Sequence, residues 1–456
     1  MRELFATMPD DPPPLPPGYL DTALARGRRT VRRRRLGNIA LAAVAVLLLA
    51  GLAVSGVPFP TQTAGPSKGP SLPDALAGYS TLTGTVTNAP PGRAIALYGF
   101  GNGEAFNMFQ SLVVGADRDT YRRVDAMEDR DRPSALLAPD GTKVLLGDDR
   151  GATGDLLLVD LGTGERRSIP LGAPVGVRLL AWSPDGRYVA YSAAPLSGNG
   201  EFGTINFVEA EVARTGTLRI LDVASGLSTE VPALEPAWTA AFAPDSRRLA
   251  VQVGQRAHLI DISGRESATV DIAAGRELAA EVGWSPDGQY LATVPWLAEG
   301  PFNGRSGGDT GHGTFLWKNG DLAFVPLTDN GTPGAAVKDV VQLLGWRTPE
   351  TVIVATVSPA GRIAIVEVHR DTGARQTLSR FDTGHTCELH TQTCEVLDLH
   401  LATGLLDDLT VRSAGRPQRG GPWPTLLTAI TSAALLGVAW LLWRRIRGRG
   451  GSEPAS

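Results

Sequence analysis

The sequence predicts an all-β fold: a single β-propeller, six-bladed in the simplest count and seven-bladed if the chain ends add one more, flanked by two transmembrane helices. Three observations predict it. A Pro-Asp-like turn between apolar strand-like runs recurs five times at about the spacing of one four-stranded blade. Gly 54 and Pro 33 favour many turns over long helices. Two uncharged apolar runs, one towards each end, are long enough to cross a bilayer.

Residues 1–36 read as a cytoplasmic Pro/Arg-rich tail. Pro12-Pro13-Pro14-Leu15-Pro16-Pro17 favours stiff polyproline II, and a short helix is expected from Asp21 to Arg29. The stretch serves as a spacer or as a docking motif for a cytosolic protein. Transmembrane helix 1, residues 37–58, has its core at Ile39–Val57 behind Arg32, Arg33, Arg34 and Arg35. At helical rise that core is roughly 28 Å long. Its long preceding segment favours an uncleaved anchor over a secretory signal.

A linker (59–78), the propeller (79–412) and a second linker (413–423) lead to transmembrane helix 2 at 424–443. A cytoplasmic basic tail, 444–456, follows with Arg444, Arg445, Arg447 and Arg449. Trp423 marks the outer interface of this span, and Trp440 and Trp443 the inner one. Short basic flanks stay inside, so both termini are expected in the cytoplasm and the propeller outside the cell membrane. Neither span carries an ionisable residue, which makes them anchors rather than an ion pathway.

Net charge divides by compartment. The tails and spans (1–57 and 423–456) hold 12 of the 43 Lys+Arg and 5 of the 47 Asp+Glu, leaving 31 basic and 42 acidic residues between them. A surface near −11 repels phosphate backbones, so nucleic acid is not an expected partner.

The clearest repeats are Trp182-Ser183-Pro184-Asp185-Gly186, leading into Arg187-Tyr188-Val189-Ala190-Tyr191, and Trp284-Ser285-Pro286-Asp287-Gly288, leading into Gln289-Tyr290-Leu291-Ala292. Looser copies are Leu137-Ala138-Pro139-Asp140-Gly141, Phe242-Ala243-Pro244-Asp245-Ser246 and Trp346-Arg347-Thr348-Pro349-Glu350. Pro presets φ in the turn, and Gly accepts the left-handed conformation leading into the next strand, so the motif reads as structural. The turn prolines lie 45, 60, 42 and 63 residues apart. Ala94–Tyr98, Phe109–Val114 and Tyr121–Val124 supply strands for a blade ahead of these. Cys394–Leu401 and Leu405–Leu409 offer a last hairpin, which would make a seventh blade by pairing near Thr81–Val86.

The Trp-Ser-Pro-Asp-Gly unit with its apolar strand resembles the PD40 repeat of TolB-like propellers, related in shape to WD40 blades, over residues 134 to 381. The resemblance implies a protein-binding platform. Similar blades also precede the hydrolase domain of some serine peptidases, but here the chain runs directly to its second span. Four lysines beside abundant arginine, with the basic juxtamembrane tail, resemble membrane proteins of high-GC Gram-positive bacteria that accompany sigma factors.

Cys387 and Cys394 sit around a polar turn in a segment expected outside the membrane, where a disulfide persists. A zinc site using His385, Cys387, His390 and Cys394 is the alternative, though the spacing disfavours it. No metal or cofactor is expected.

The long insertions Ala194–Gly216 and Pro295–Gly313 fall between the second and third strands of their blades, and Phe100–Asn107 is placed similarly, so all three should crowd one rim. They carry Phe202, Phe207, Trp296 and Phe302 among Arg305, Asp309 and His312, a mixture suited to binding. No nucleophile elbow, His-Glu-x-x-His pair or phosphate loop occurs. The leading expectation is a non-enzymatic scaffold or sensor that binds a protein, peptide or glycan outside the membrane. The alternatives are a lactonase-like hydrolase with a site on the channel axis, and a regulator of a cytosolic sigma factor acting through the N-terminal tail.

Overall fold

In the computed structural model, residues 69–421 are described apart from 79, 81–82, 102–109, 128–133, 148–150, 197–210, 213, 296–319, 329–332, 359–361 and 383–394, together with six positions between 432 and 440. The chain opens with β1 (Ser71–Pro73), β2 (Ala75–Ala77), β3 (Ala94–Gly101), β4 (Gln110–Gly115) and β5 (Tyr121–Arg123). Next come β6 (Ala135–Leu137), β7 (Lys143–Leu146), β8 (Thr153–Asp160), β9 (Arg166–Trp182), β10 (Tyr188–Ala194), β11 (Thr217–Asp222) and β12 (Leu227–Val231). Then follow β13 (Thr239–Phe242), β14 (Arg248–Val253), β15 (Arg256–Asp261), β16 (Glu266–Asp271), β17 (Arg276–Leu278), β18 (Tyr290–Pro295), β19 (Gly320–Pro326) and β20 (Gly334–Val340). The last are β21 (Gln342–Thr348), β22 (Thr351–Val357), β23 (Ile363–His369), β24 (Arg375–Asp382), β25 (Glu395–Leu401) and β26 (Thr410–Arg412).

The motif turns explain why strands begin where they do. Ser183 is fully buried; its hydroxyl donates to Asp185 Oδ1 at 2.6 Å and accepts the Tyr188 N–H at 2.8 Å, while Asp185 accepts the Arg187 N–H at 3.0 Å. Ser285 repeats this with Asp287 at 2.6 Å and the Tyr290 N–H at 2.9 Å. The serine thus satisfies a part-buried amide at the start of the next strand. These residues are structural, as their spacing implies.

The fold is an all-β propeller. Three sheets follow the order β13-β14-β15-β16, β17-β18-β19-β20 and β25-β3-β4-β5, and a fourth, β21 to β24, takes β2 on its outer edge. The remaining large sheet is continuous from β6 to β12. Four blades therefore stand as separate sheets, not the six expected. The cause is β9, 17 residues long, which pairs with β8 through its first half and with β10 through its second. Buried apolar groups fill the space between successive sheets: Leu97 with Val144, Leu180 with Phe242, Leu259 with Trp284, Phe324 with Val352, and Ile353 with Tyr98. A further cluster packs Leu136 and Leu156 against Leu179 and Tyr191, between the two halves of the long sheet. The inner strands are largely buried, as in Thr239–Phe242, where every residue is buried; the outer strand β16 is mostly exposed.

Closure joins the two ends of the described region. β25 lies antiparallel against β3, β1 pairs in parallel with β26, and β2 in parallel with β24. The expected final hairpin is absent: after β25, Thr403–Leu405 form a 3-10 turn and Leu406 and Leu409 are buried beneath it. Thr83 and Thr85 make only isolated bridges, to Gly420 and Arg123, so among the described residues no seventh blade forms there. These strands belong to one compact unit, Gln62–Leu426.

The expected spans lie outside the described residues except for helical positions between Ser432 and Trp440, and among the described residues no helix is long and apolar enough to cross a membrane. Cys387 and Cys394 also lie outside, so no disulfide is shown.

Candidate functional site

The sequence-derived binding residues Phe202, Phe207, Trp296, Phe302, Arg305, Asp309 and His312 all lie outside the described residues. Their flanks are described. β10 ends at Ala194 and β11 begins at Thr217; β18 ends at Pro295 and β19 begins at Gly320; β3 ends at Gly101 and β4 begins at Gln110. In each case the connection joins the second and third strands of a four-stranded unit and leaves at the end of the ring where the innermost strands start.

At that same end, three innermost strands contribute one half-buried polar or aromatic side chain each. Arg178 lies on the second half of β9, Trp238 immediately precedes β13, and Glu277 is on β17. The guanidinium of Arg178 stacks over the Trp238 ring, 3.8 Å from its centroid. The indole N–H of Trp238 donates to Glu277 Oε2 at 3.3 Å. Burial raises the proton affinity of Glu277, while the Trp238 N–H and the charge of Arg178 oppose that shift. The result is a cation, a π-face and a carboxylate in line across three successive inner strands.

Their positions follow from local structure. Arg178 and Trp238 each stand six residues before a turn proline, whereas Glu277 stands nine before Pro286. Irregular backbone from Ala279 to Gly283 takes up the difference: Glu281 adopts φ 65, and its N–H donates to Ala240 O at 3.0 Å. The carboxylate of Glu281 meets His400 Nδ1 of β25 at 3.0 Å, joining two sheets that are not consecutive in the ring. Gln342 at the start of β21 donates to Leu399 O at 3.0 Å. Inner-strand polar groups thus hold the axis together, and the Arg178–Trp238–Glu277 line crowns it.

Sequence reasoning did not find this line. The signal it left is the equal spacing of Arg178 and Trp238 from their prolines, which the irregular stretch before Trp284 hides for Glu277. The arrangement suits recognition: an aromatic ring for stacking, a cation and a carboxylate for hydrogen bonds and charge. Among the described residues no three His, Cys, Asp or Glu side chains converge to hold a metal ion.

No protein-family model and no curated protein matches the chain. Its structure is similar to that of TolB from Acinetobacter baumannii, with 16% identity and TM-score 0.41 over 68% of this chain and 67% of that one. It is also similar to an oligogalacturonate lyase in complex with manganese, with 15% identity and TM-score 0.38 over 68% of this chain and 78% of that one. A third likeness is a putative TolB from Agrobacterium tumefaciens, with 14% identity and TM-score 0.34 over 63% of this chain and 90% of that one. Likenesses this distant have no bearing on what the chain binds or does.

Proposed function

We propose that this protein is a non-enzymatic binding scaffold or sensor, anchored in the cell membrane by its two apolar spans and holding its propeller outside. It takes a protein, peptide or glycan at the end of the ring where the innermost strands start. The observation that supports this most directly is the Arg178–Trp238–Glu277 line, which stands at the end from which the three long insertions leave. In this reading the long sheet works as two blades sharing β9, giving a six-part ring in keeping with the PD40-like repeat.

The reading is tested with the full-length protein in mild detergent, screened against arrayed peptides and cell-wall glycans and then repeated with Trp238→Ala and Glu277→Ala. A ligand held by the wild type and weakened at least about tenfold in both folded variants supports it. Equal capture by all three proteins rejects this site, and chemical conversion of the ligand replaces binding with catalysis. Reporter fusions after Ser456 and within Ala194–Gly216 test the topology; an external C-terminus overturns it.

A further inference from the structure

The opposite end of the ring holds a buried cation that no carboxylate among the described residues neutralises. Arg370 follows β23 and is 8% exposed. Its guanidinium lies 4.4 Å from the Tyr290 ring centroid, 4.7 Å from that of Phe324 and 6.0 Å from that of Trp346, between the sheets β17–β20 and β21–β24. Its backbone N–H is used, donating to Glu350 O at 2.8 Å. Its Nε and Nη1 have no hydrogen-bond partner, and among the described residues no carboxylate pairs with it.

Guanidinium does not shed its proton in a protein, so burial cannot be relieved by neutralisation. Aromatic faces offset part of the lost hydration, but they accept no N–H in the guanidinium plane, where the donors point. Gly334 at the start of β20 lies against the same group: a Cβ there would stand 3.4 Å from Nη2 and 3.3 Å from Phe324 Cδ2. Those distances leave little room at Gly334, whereas Nη2 is not among the buried unpaired nitrogens of the guanidinium.

We infer that the cage of Tyr290, Phe324 and Trp346 around Arg370 is an oxyanion site, approached at Nη2 and taking a carboxylate or phosphate group as counter-charge. The ion-pairing geometry is that of planar guanidinium with two oxygens. This site is independent of the Trp238 line: it lies between different strands, and its occupant need not be the ligand proposed above.

The test is thermal unfolding of the full-length protein in mild detergent, with sodium phosphate, sulfate or acetate against sodium chloride at equal ionic strength. The expected result is a saturable rise of about 2 °C or more in the midpoint for at least one oxyanion, absent in Arg370→Met. Phosphate or sulfate alone would indicate a tetrahedral ligand, and acetate a carboxylate. Arg370→Met should also be at least as stable as the wild type in chloride, because it removes an unpaired buried charge while keeping an apolar stem. No oxyanion-specific rise in the wild type, or an equal rise in Arg370→Met, overturns the inference. Should that variant not fold, Arg370→Lys is read in its place: a rise less than half the wild type's supports the site, and any larger rise refutes it.

Discussion

Asp119 and Arg412, 293 positions apart in the chain, form a buried ion pair at 2.9 Å. Arg412 also donates to the Ser71 hydroxyl at 2.7 Å, the Ala116 carbonyl at 3.3 Å and the Gly115 carbonyl at 3.0 Å, and the Gly415 N–H donates to Asp119. One guanidinium therefore ties β1, the end of β4 and β26 together where the two ends of the described chain meet. The pair is 8% and 4% exposed at its side chains, so removing either partner leaves the other charged and dry. Arg412→Ala and Asp119→Ala should each cost about 3–5 kcal/mol in urea unfolding, with hydrogen exchange rising first in β1 and β26. Exchange that rises uniformly instead would show that this pair does not govern closure.

The turn serines carry a second prediction. Ser285→Ala removes the buried hydroxyl that receives the Tyr290 N–H, leaving a part-buried amide without that partner, and should cost about 1–2 kcal/mol. Ser183→Ala should cost a similar amount, and the double variant should show near-additive losses because the two turns share no partner. A loss under a few tenths of a kcal/mol in denaturant titrations would mean the turn holds without the serine.

Among the described glycines, Gly141 leaves the least room for a side chain. It sits at φ 71, and a Cβ there would stand 2.0 Å from Ala94 O, the carbonyl of a residue whose own N–H donates to Gly141 O at 2.7 Å. Gly141→Ala must break this contact between the first two sheets as well as strain the turn. A destabilisation well above about 1 kcal/mol is expected by calorimetry; a neutral substitution would contradict the close approach.

Glu277 should make stability depend on pH. Burial raises its pKa above the ordinary glutamate value near 4.5, so the folded protein holds this proton more tightly than the unfolded chain does. The stabilising contribution is complete below the unfolded value and is lost as pH rises through the higher folded value. Subtracting the stability of Glu277→Gln from that of the wild type at each pH should give a difference that declines upward from about pH 4.5 and then levels. A flat difference, or one that grows with pH, would place the carboxylate in a wetter or more strongly paired setting.

Much of the fold is legible in the chain because its turns are local. Trp182 to Tyr188 and Trp284 to Tyr290 each contain the proline, acceptor and glycine that reverse the strand, so β9–β10 and the strands around Trp284 follow from a few consecutive residues. The strand-like runs Ala94–Tyr98 and Tyr121–Val124 overlap β3 and β5. Leu405–Leu409 misled because an apolar run reads alike in a strand and in a buried turn; Leu406 and Leu409 are buried without a ladder. The separate-blade count failed at β9, where Pro170, Gly172 and Pro174 look like a strand boundary, yet the backbone continues from one partner to the next.

What the amino-acid order determined alone was the class of fold, the position of each motif turn and the places where long insertions leave the sheets, since these depend on neighbours within a few residues. Tertiary structure alone decided that β25 pairs with β3, that β2 caps β24, and that Arg178, Trp238 and Glu277 meet across three inner strands. Pairings between distant segments write no periodicity into either segment: each partner only has to be extended and of suitable polarity, and the choice among such segments is made when the ring buries its cores and closes.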